Sequence, residues 1–342
     1  MTRALLLLSL ILSLGCGSTR FSYDELPPQP VALAVRSESD AKRFEEFMKQ
    51  HAEREAEDRP NLPTDDPLER AESFLRRMVH GERSRALFTH LVFLDPIERE
   101  TERVEFAAKS TRPVAWDHAR GRLMFSAERG GRSQLFEWIK ATGEVRQLTF
   151  GRPHVDGCYG PDGRIAAVRH SDLRLVDDRA VGGLQIFVTD PGSAELRALT
   201  EGPLDTAPAW SPDGKVLIHE HRDANGMESL RRVELAAADS PRTVARGRSA
   251  VFTPDGDWIV YSAATRRGLK LWKMHPDGTG RRSLGRSGLQ ELDPSVSPDG
   301  RFVIYVGYNP GSESGPQLMI KRIEGSNPRS ISIDGTGLLP TW

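Results

Sequence analysis

Only two cysteines, Cys16 and Cys158, occur in 342 residues. That excludes a disulfide-rich scaffold and a cysteine-ligated zinc finger. There is no basic excess either: 47 lysines and arginines face 48 acidic residues, for a formal charge of −1. A nucleic-acid-binding surface normally needs a clear positive balance, so none is expected. Long apolar runs are absent except for residues 4–14 at the N-terminus, which excludes a multi-span helical membrane protein. No P-loop, dinucleotide fingerprint or H-E-x-x-H is present, and no G-x-S-x-G elbow. Gly311-Ser312-Glu313-Ser314-Gly315 has glutamate where the elbow's nucleophile would stand. No cofactor is expected, and the chain does not read as an enzyme.

What is present begins with an address signal. Arg3 precedes the apolar run Ala4 to Leu14, too short for a spanning helix but matching a secretory signal's h-region. The run ends in Ser13-Leu14-Gly15-Cys16. Gly15-Cys16 resembles the lipobox of bacterial lipoproteins, with Leu12 one place earlier than that family's leucine. The resemblance implies cleavage after residue 15 and lipid on Cys16. Gly17 stands where an aspartate would retain enterobacterial lipoproteins in the inner membrane, so the periplasmic face of the outer membrane is the implied location. Cys158 would then have no disulfide partner and reads as a small apolar strand residue.

Residues 16–36, with Pro27, Pro28 and Pro30, read as a flexible lipid-anchored tether. Residues 37–81 read as a helical segment with two helices. The first spans 39–57 with Ser39 as N-cap. The second has Asp66 as cap, Pro67 in its first turn and Gly81 at its end.

From residue 82 the chain repeats itself. Gly160-Pro161-Asp162-Gly163, Ser211-Pro212-Asp213-Gly214, Thr253-Pro254-Asp255-Gly256 and Ser297-Pro298-Asp299-Gly300 share one pattern, each after an apolar or aromatic residue and before an apolar run. A degenerate copy starts at Trp116 with Gly121 as its glycine, and the glycines are then 42, 51, 42 and 44 residues apart. Proline fixes φ, aspartate accepts from nearby amides, and glycine supplies positive φ, so each copy predicts a turn between antiparallel strands. Four strands per repeat of this length predict the blade of a β-propeller. The C-terminal stretch 338–342 repeats only the first-strand pattern, so it is expected to complete a sixth blade with strands from 86–108 and close the ring. The expected fold is all-β: a six-bladed propeller of four-stranded blades over 82–342, after a short two-helix segment.

The repeat, clearest at Trp210 to Gly214, resembles the TolB-like propeller repeats, also described as WD40-like. The resemblance implies an envelope protein whose propeller binds a protein or peptide, such as a Pal-like lipoprotein, without catalysis. A monomer is expected. Similar repeats occur in propellers of prolyl-oligopeptidase-type hydrolases and of some polysaccharide lyases. The alternative is therefore a propeller enzyme acting on envelope or imported glycans.

Candidate binding residues come from position in the repeat. Asp156, Asp205 and Asp293 precede the innermost strands and are expected at the channel mouth, holding a cation or a basic peptide group, or bonding turn amides in their own blades. The long third repeat adds the loop 169–183, with Arg174, Asp177, Asp178 and Arg179. His219 and His221 share one strand face, which is metal-ligand spacing in principle, but Arg222-Asp223 beside them reads as a solvated strand end.

Overall fold

The computed structural model describes residues 21–57 and 88–342, apart from 105, 107–108, 177–178, 191–194, 224–225, 237–240, 286, 313–314 and 326. After a 3-10 turn at Tyr23–Glu25 come β1 (Val31–Arg36), helix α1 (Glu38–Glu57), β2 (His90–Leu94) and β3 (Thr101–Arg103). Next are β4 (Lys109–Asp117), β5 (Arg122–Arg129), β6 (Arg132–Ile139) and β7 (Val145–Gln147), then β8 (His154–Tyr159), β9 (Ile165–Val176), β10 (Arg179–Thr189) and β11 (Leu196–Ala198). They are followed by β12 (Asp205–Trp210), β13 (Val216–Arg222), β14 (Glu228–Glu234) and β15 (Arg242–Ala245), and by β16 (Arg248–Phe252), β17 (Ile259–Thr265), β18 (Gly268–Met274) and β19 (Arg282–Ser283). The chain finishes with β20 (Gln290–Val296), β21 (Phe302–Tyr308), β22 (Gln317–Arg322), β23 (Arg329–Ile331) and β24 (Thr336–Thr341).

These strands form six antiparallel sheets of four. Five are consecutive quartets, blades 2 to 6. Blade 1 has the order β24-β1-β2-β3, so the C-terminal strand is its innermost member. The inner strands β24, β4, β8, β12, β16 and β20 each adjoin the next, and β20 adjoins β24, so the ring is closed. Closure leaves no inner sheet edge open to foreign strands.

The N-terminal third differs from the sequence expectation. Residues 16–36 do not all form a tether: Val31–Arg36 is a fully buried strand pairing with both β24 and β2. Val31-Ala32-Leu33-Ala34-Val35 is a continuous apolar run, the pattern of a strand covered on both faces. Phe21 is buried too, against Phe302 at 5.2 Å. The helical segment therefore does not precede the propeller. It is inserted between the second and third strands of blade 1. Helix α1 starts one residue early because Ser37, not Ser39, accepts from the Asp40 amide (3.2 Å). Arg36 lies over Phe44 at 3.7 Å, and Phe47 meets Phe88 edge-on at 6.3 Å. The expected second helix and Cys16 lie outside the described residues.

The Pro-Asp-Gly turns do two jobs. Within a blade, the Ser211 hydroxyl donates to Asp213 (2.6 Å) and accepts from the Val216 amide (2.9 Å), while the Lys215 amide donates to Asp213 (3.1 Å). Ser297, Asp299, Arg301 and Phe302 repeat this set. Between blades, the glycine of one turn faces the proline of the turn before it. A Cβ on Gly214 would come within 3.1 Å of Pro161; on Gly256, within 3.4 Å of Pro212; on Gly300, within 3.4 Å of Pro254. The glycines have φ of +71°, +78° and +72°, so their type is demanded by both backbone and neighbour. After Pro298, where no further repeat follows, the Leu26–Pro28 segment occupies the adjoining place.

Candidate functional site

The inner strands enclose a central cavity of about 370 Å3. Its wall is built at one register in four blades. Ala207, Ser249, Asp293 and Leu339 each have φ near +50°, where β12, β16, β20 and β24 bulge. Non-glycine residues in that region store strain, which surrounding contacts must offset. The offset comes from neighbouring blades. Asp156 of blade 3 accepts from the Ala207 amide of blade 4 at 3.2 Å. Glu220 of blade 4 accepts from the Ser249 amide of blade 5 at 3.4 Å. The Ser249 hydroxyl donates to Asp293 of blade 6 at 3.5 Å. Arg112 of blade 2 pairs with Asp156 at 3.2 Å and donates to the Val155 carbonyl at 2.9 Å. Trp342, just after β24, adds a link to blade 6, its amide donating to Ser295 (2.8 Å). Charged and hydroxyl side chains thus stitch one blade to the next around the cavity that they line.

Of the three expected mouth aspartates, Asp156 and Asp293 line this cavity. Asp156 bonds across to the next blade rather than only within its own. Asp205 is elsewhere, 2% exposed inside blade 4. It accepts from His221 Nδ1 (2.7 Å) and from the Gly202 amide (2.9 Å), with His219 Nδ1 at 3.6 Å. Burial alone would raise its carboxyl pKa. His221, His219 and Thr200 outweigh that and hold it below the usual carboxylate value. The His219/His221 strand is accordingly not a solvated end. Both imidazoles are buried, because Asp205 takes them inward. Among the described residues no group of three or more His, Cys, Asp and Glu could hold a metal ion. Cys158 is a buried strand residue whose thiol burial pushes up.

Loop 169–183 is a long hairpin, with Val176 opposite Arg179 and Ser171 opposite Gly183. Arg174 is exposed on it; Asp177 and Asp178 lie outside the described residues, as does the side chain of Arg179. The sequence reading missed Arg112 and Glu220. Glu220 was legible in principle: it sits between two buried histidines on a strand, so it must face the other way, into the cavity.

The buried histidines make the fold acid-sensitive. Burial pushes the pKa of His154 down from 6.5 to about 4, and also lowers those of His118 and His219. A histidine whose folded pKa is depressed leaves stability intact above about pH 6.5 and removes it as pH falls toward the folded value. His154 alone accounts for up to about 3 kcal/mol across that window. Urea titrations at pH 7 and pH 4.5 check this. The loss on acidification should shrink in His154→Gln; an identical loss in that variant would rule out His154 as its source.

The architecture defines a closed six-bladed propeller whose central cavity has a mixed wall, apolar and aromatic side chains with Arg112, Asp156, Glu220 and Asp293 set among them. The family model described as the TolB beta propeller domain matches residues 173–342. The chain carries a TolB-like six-bladed β-propeller. It is 27% identical over 182 residues to the Tol-Pal system protein TolB of Anaeromyxobacter dehalogenans strain 2CP-C, covering 51% of this chain and 40% of that protein. It is 22% identical over 174 residues to the uncharacterized protein Atu1656 of Agrobacterium fabrum, covering 49% and 56%. The crystal structure of TolB from Acinetobacter baumannii superposes with a TM-score of 0.61 at 16% identity, over 92% of this chain and 66% of that one, a likeness of fold. The chain spans about half the length of these curated relatives.

Proposed function

We propose that the protein is an envelope lipoprotein, anchored through lipid on Cys16, whose propeller is a non-catalytic scaffold for another envelope protein or peptide. The observation that carries this reading is the cavity wall. Asp156 and Glu220 are held by backbone amides of neighbouring blades and Asp293 by the Ser249 hydroxyl, which makes the site rigid, concave and charged in fixed positions. Such a site recognises a partner's polar group at little cost in ordering its own side chains. The name of the relatives, Tol-Pal system protein TolB, makes a Pal-like lipoprotein the first partner to test.

The anchor also supplies an orientation. Phe21 and Glu25 pack beside Arg301 and Arg329, at the edge of the ring that carries the Pro-Asp-Gly turns. Five residues from Cys16 to Phe21 reach at most about 18 Å. An anchored molecule would keep that edge toward the membrane and its opposite edge toward the partner.

The test is affinity capture from cross-linked envelope, using the chain from residue 16 with Cys16→Ser and a tag there. One protein should be recovered in near-stoichiometric amount and be reduced by Asp293→Asn, a variant whose melting temperature should stay close to that of the parent. Recovery of nothing specific would remove the scaffold reading. Loss of labelled-palmitate incorporation in Cys16→Ser tests the anchor separately.

A further inference from the structure

The four large apolar side chains left most exposed among the described residues are Met48, Phe150, Val176 and Met227. All four lie in connections at one edge of the ring. Met48 is in α1 between β1 and β2, Val176 in the β9–β10 hairpin, Met227 between β13 and β14, and Phe150 between β7 and β8. This is the edge opposite the Pro-Asp-Gly turns and opposite the point where the N-terminal segment packs.

Phe150 stands out at 70% exposed on a backbone that is pinned on both sides. On one side Thr149 is buried, its hydroxyl donating to Gln134 (2.8 Å) and accepting from the Leu135 amide (2.9 Å). On the other, the Gly151 carbonyl accepts from Arg132 (3.2 Å), and the Arg152 carbonyl accepts from Gln134 (3.2 Å). A large ring kept in water by a fixed backbone has already met the ordering cost of a contact, the property of an interface hot spot.

The surroundings are basic. Arg129 ends β5, Arg132 opens β6, Arg152 lies just before β8, and Arg169 and Arg174 are on β9, with Glu128 and Asp172 among them. Arg152 is paired with Asp172 (2.6 Å), yet its charge still bears on Arg169, which is drawn down by burial and by Arg152 together. Arg169 lies over the Phe187 ring at 3.5 Å, beside this pair. Among the described residues, five arginines against two carboxylates leave this rim positive, which favours an anionic occupant.

We propose that this rim between blades 2 and 3 docks an acidic protein segment that places an apolar side chain on Phe150 and carboxylates against the arginines. It deepens the scaffold reading, on which it rests, and assigns the partner's chemistry and a contact outside the central cavity.

The probes are short labelled peptides alternating glutamate with leucine, or lysine with leucine, and vesicles of phosphatidylglycerol, each titrated against the chain from residue 16 with Cys16→Ser. The glutamate peptide should bind and the lysine peptide should not. Its affinity should fall about tenfold or more in Phe150→Ser, and also in Arg129→Gln combined with Arg174→Gln, and should weaken with added salt. Asp293→Asn should leave it unchanged. Equal binding of the lysine peptide, unchanged binding by Phe150→Ser, or a preference for the vesicles over the glutamate peptide would each overturn the proposal. Failure of the scaffold reading is seen differently, as absence of any captured envelope protein. Capture that survives Phe150→Ser but falls in Asp293→Asn would keep the scaffold and discard this rim.

Discussion

A chain ending at Gly335 is expected to lose its cooperative unfolding transition at room temperature. The missing residues are β24 and Trp342. β24 is the innermost strand of blade 1 and the last member of the inner ring. Without it, β1 offers an unpaired edge, and blades 2 and 6 lose the strand between them. Trp342 adds a second term. It is 6% exposed, in one apolar cluster with Phe21, Leu26, Val31 and Phe302. Its indole donates to the Gln29 carbonyl at 3.0 Å. The single substitution Trp342→Ala removes that side chain while leaving the strand, and should cost about 3–5 kcal/mol. Urea unfolding followed by circular dichroism separates the two: a shifted but intact transition for Trp342→Ala, and none for the truncated chain. A truncated chain that unfolds at the parent's midpoint would mean that the ring does not depend on its closing strand.

The closing strand was legible because Leu338-Leu339-Pro340-Thr341-Trp342 repeats Ala207-Pro208-Ala209-Trp210. Its partner β1 was not, because three nearby prolines gave residues 16–36 the look of a linker, and an apolar run of five residues fits a buried strand or a short helix equally well by periodicity. The cavity register was half legible. Asp156, Ala207, Ser249 and Asp293 each stand five residues before the turn proline, and this is the position that bulges or adjoins the bulge. Asp205 stands seven before. Two residues' difference places it at the strand's start, where His221 draws it inward. A count from the proline separates the mouth residues from the buried one; side-chain type alone groups them. What no count could supply is the partner of each carboxylate, since Asp156 and Glu220 bond amides 51 and 29 residues away, across a blade boundary.

The same long-range logic governs the second large effect, at the junction of blades 5 and 6. Lys321 on β22 donates to Glu291 on β20 at 2.8 Å, and the two side chains are 2% and 0% exposed. The other Glu291 carboxylate oxygen accepts from the Leu271 amide of blade 5 (2.8 Å), and its carbonyl accepts from the Ser262 hydroxyl (3.0 Å). Lys321 also lies over the buried Tyr305 ring at 4.9 Å. Burial pulls the Lys321 pKa down and Glu291 pulls it back up, with burial the stronger. A charge in this setting is tolerated only while its partner stands beside it. Lys321→Ala should therefore cost about 3–5 kcal/mol, because it strands a carboxylate out of water. The double variant Lys321→Met with Glu291→Gln should regain most of that loss, since an amide still accepts from Leu271 and neither residue is charged. Urea midpoints of the parent, Lys321→Met, Glu291→Gln and the double variant measure the coupling directly. If Lys321→Ala shifted stability by less than about 1 kcal/mol, the pair would behave as an exposed one does, and its role in joining the two blades would fall.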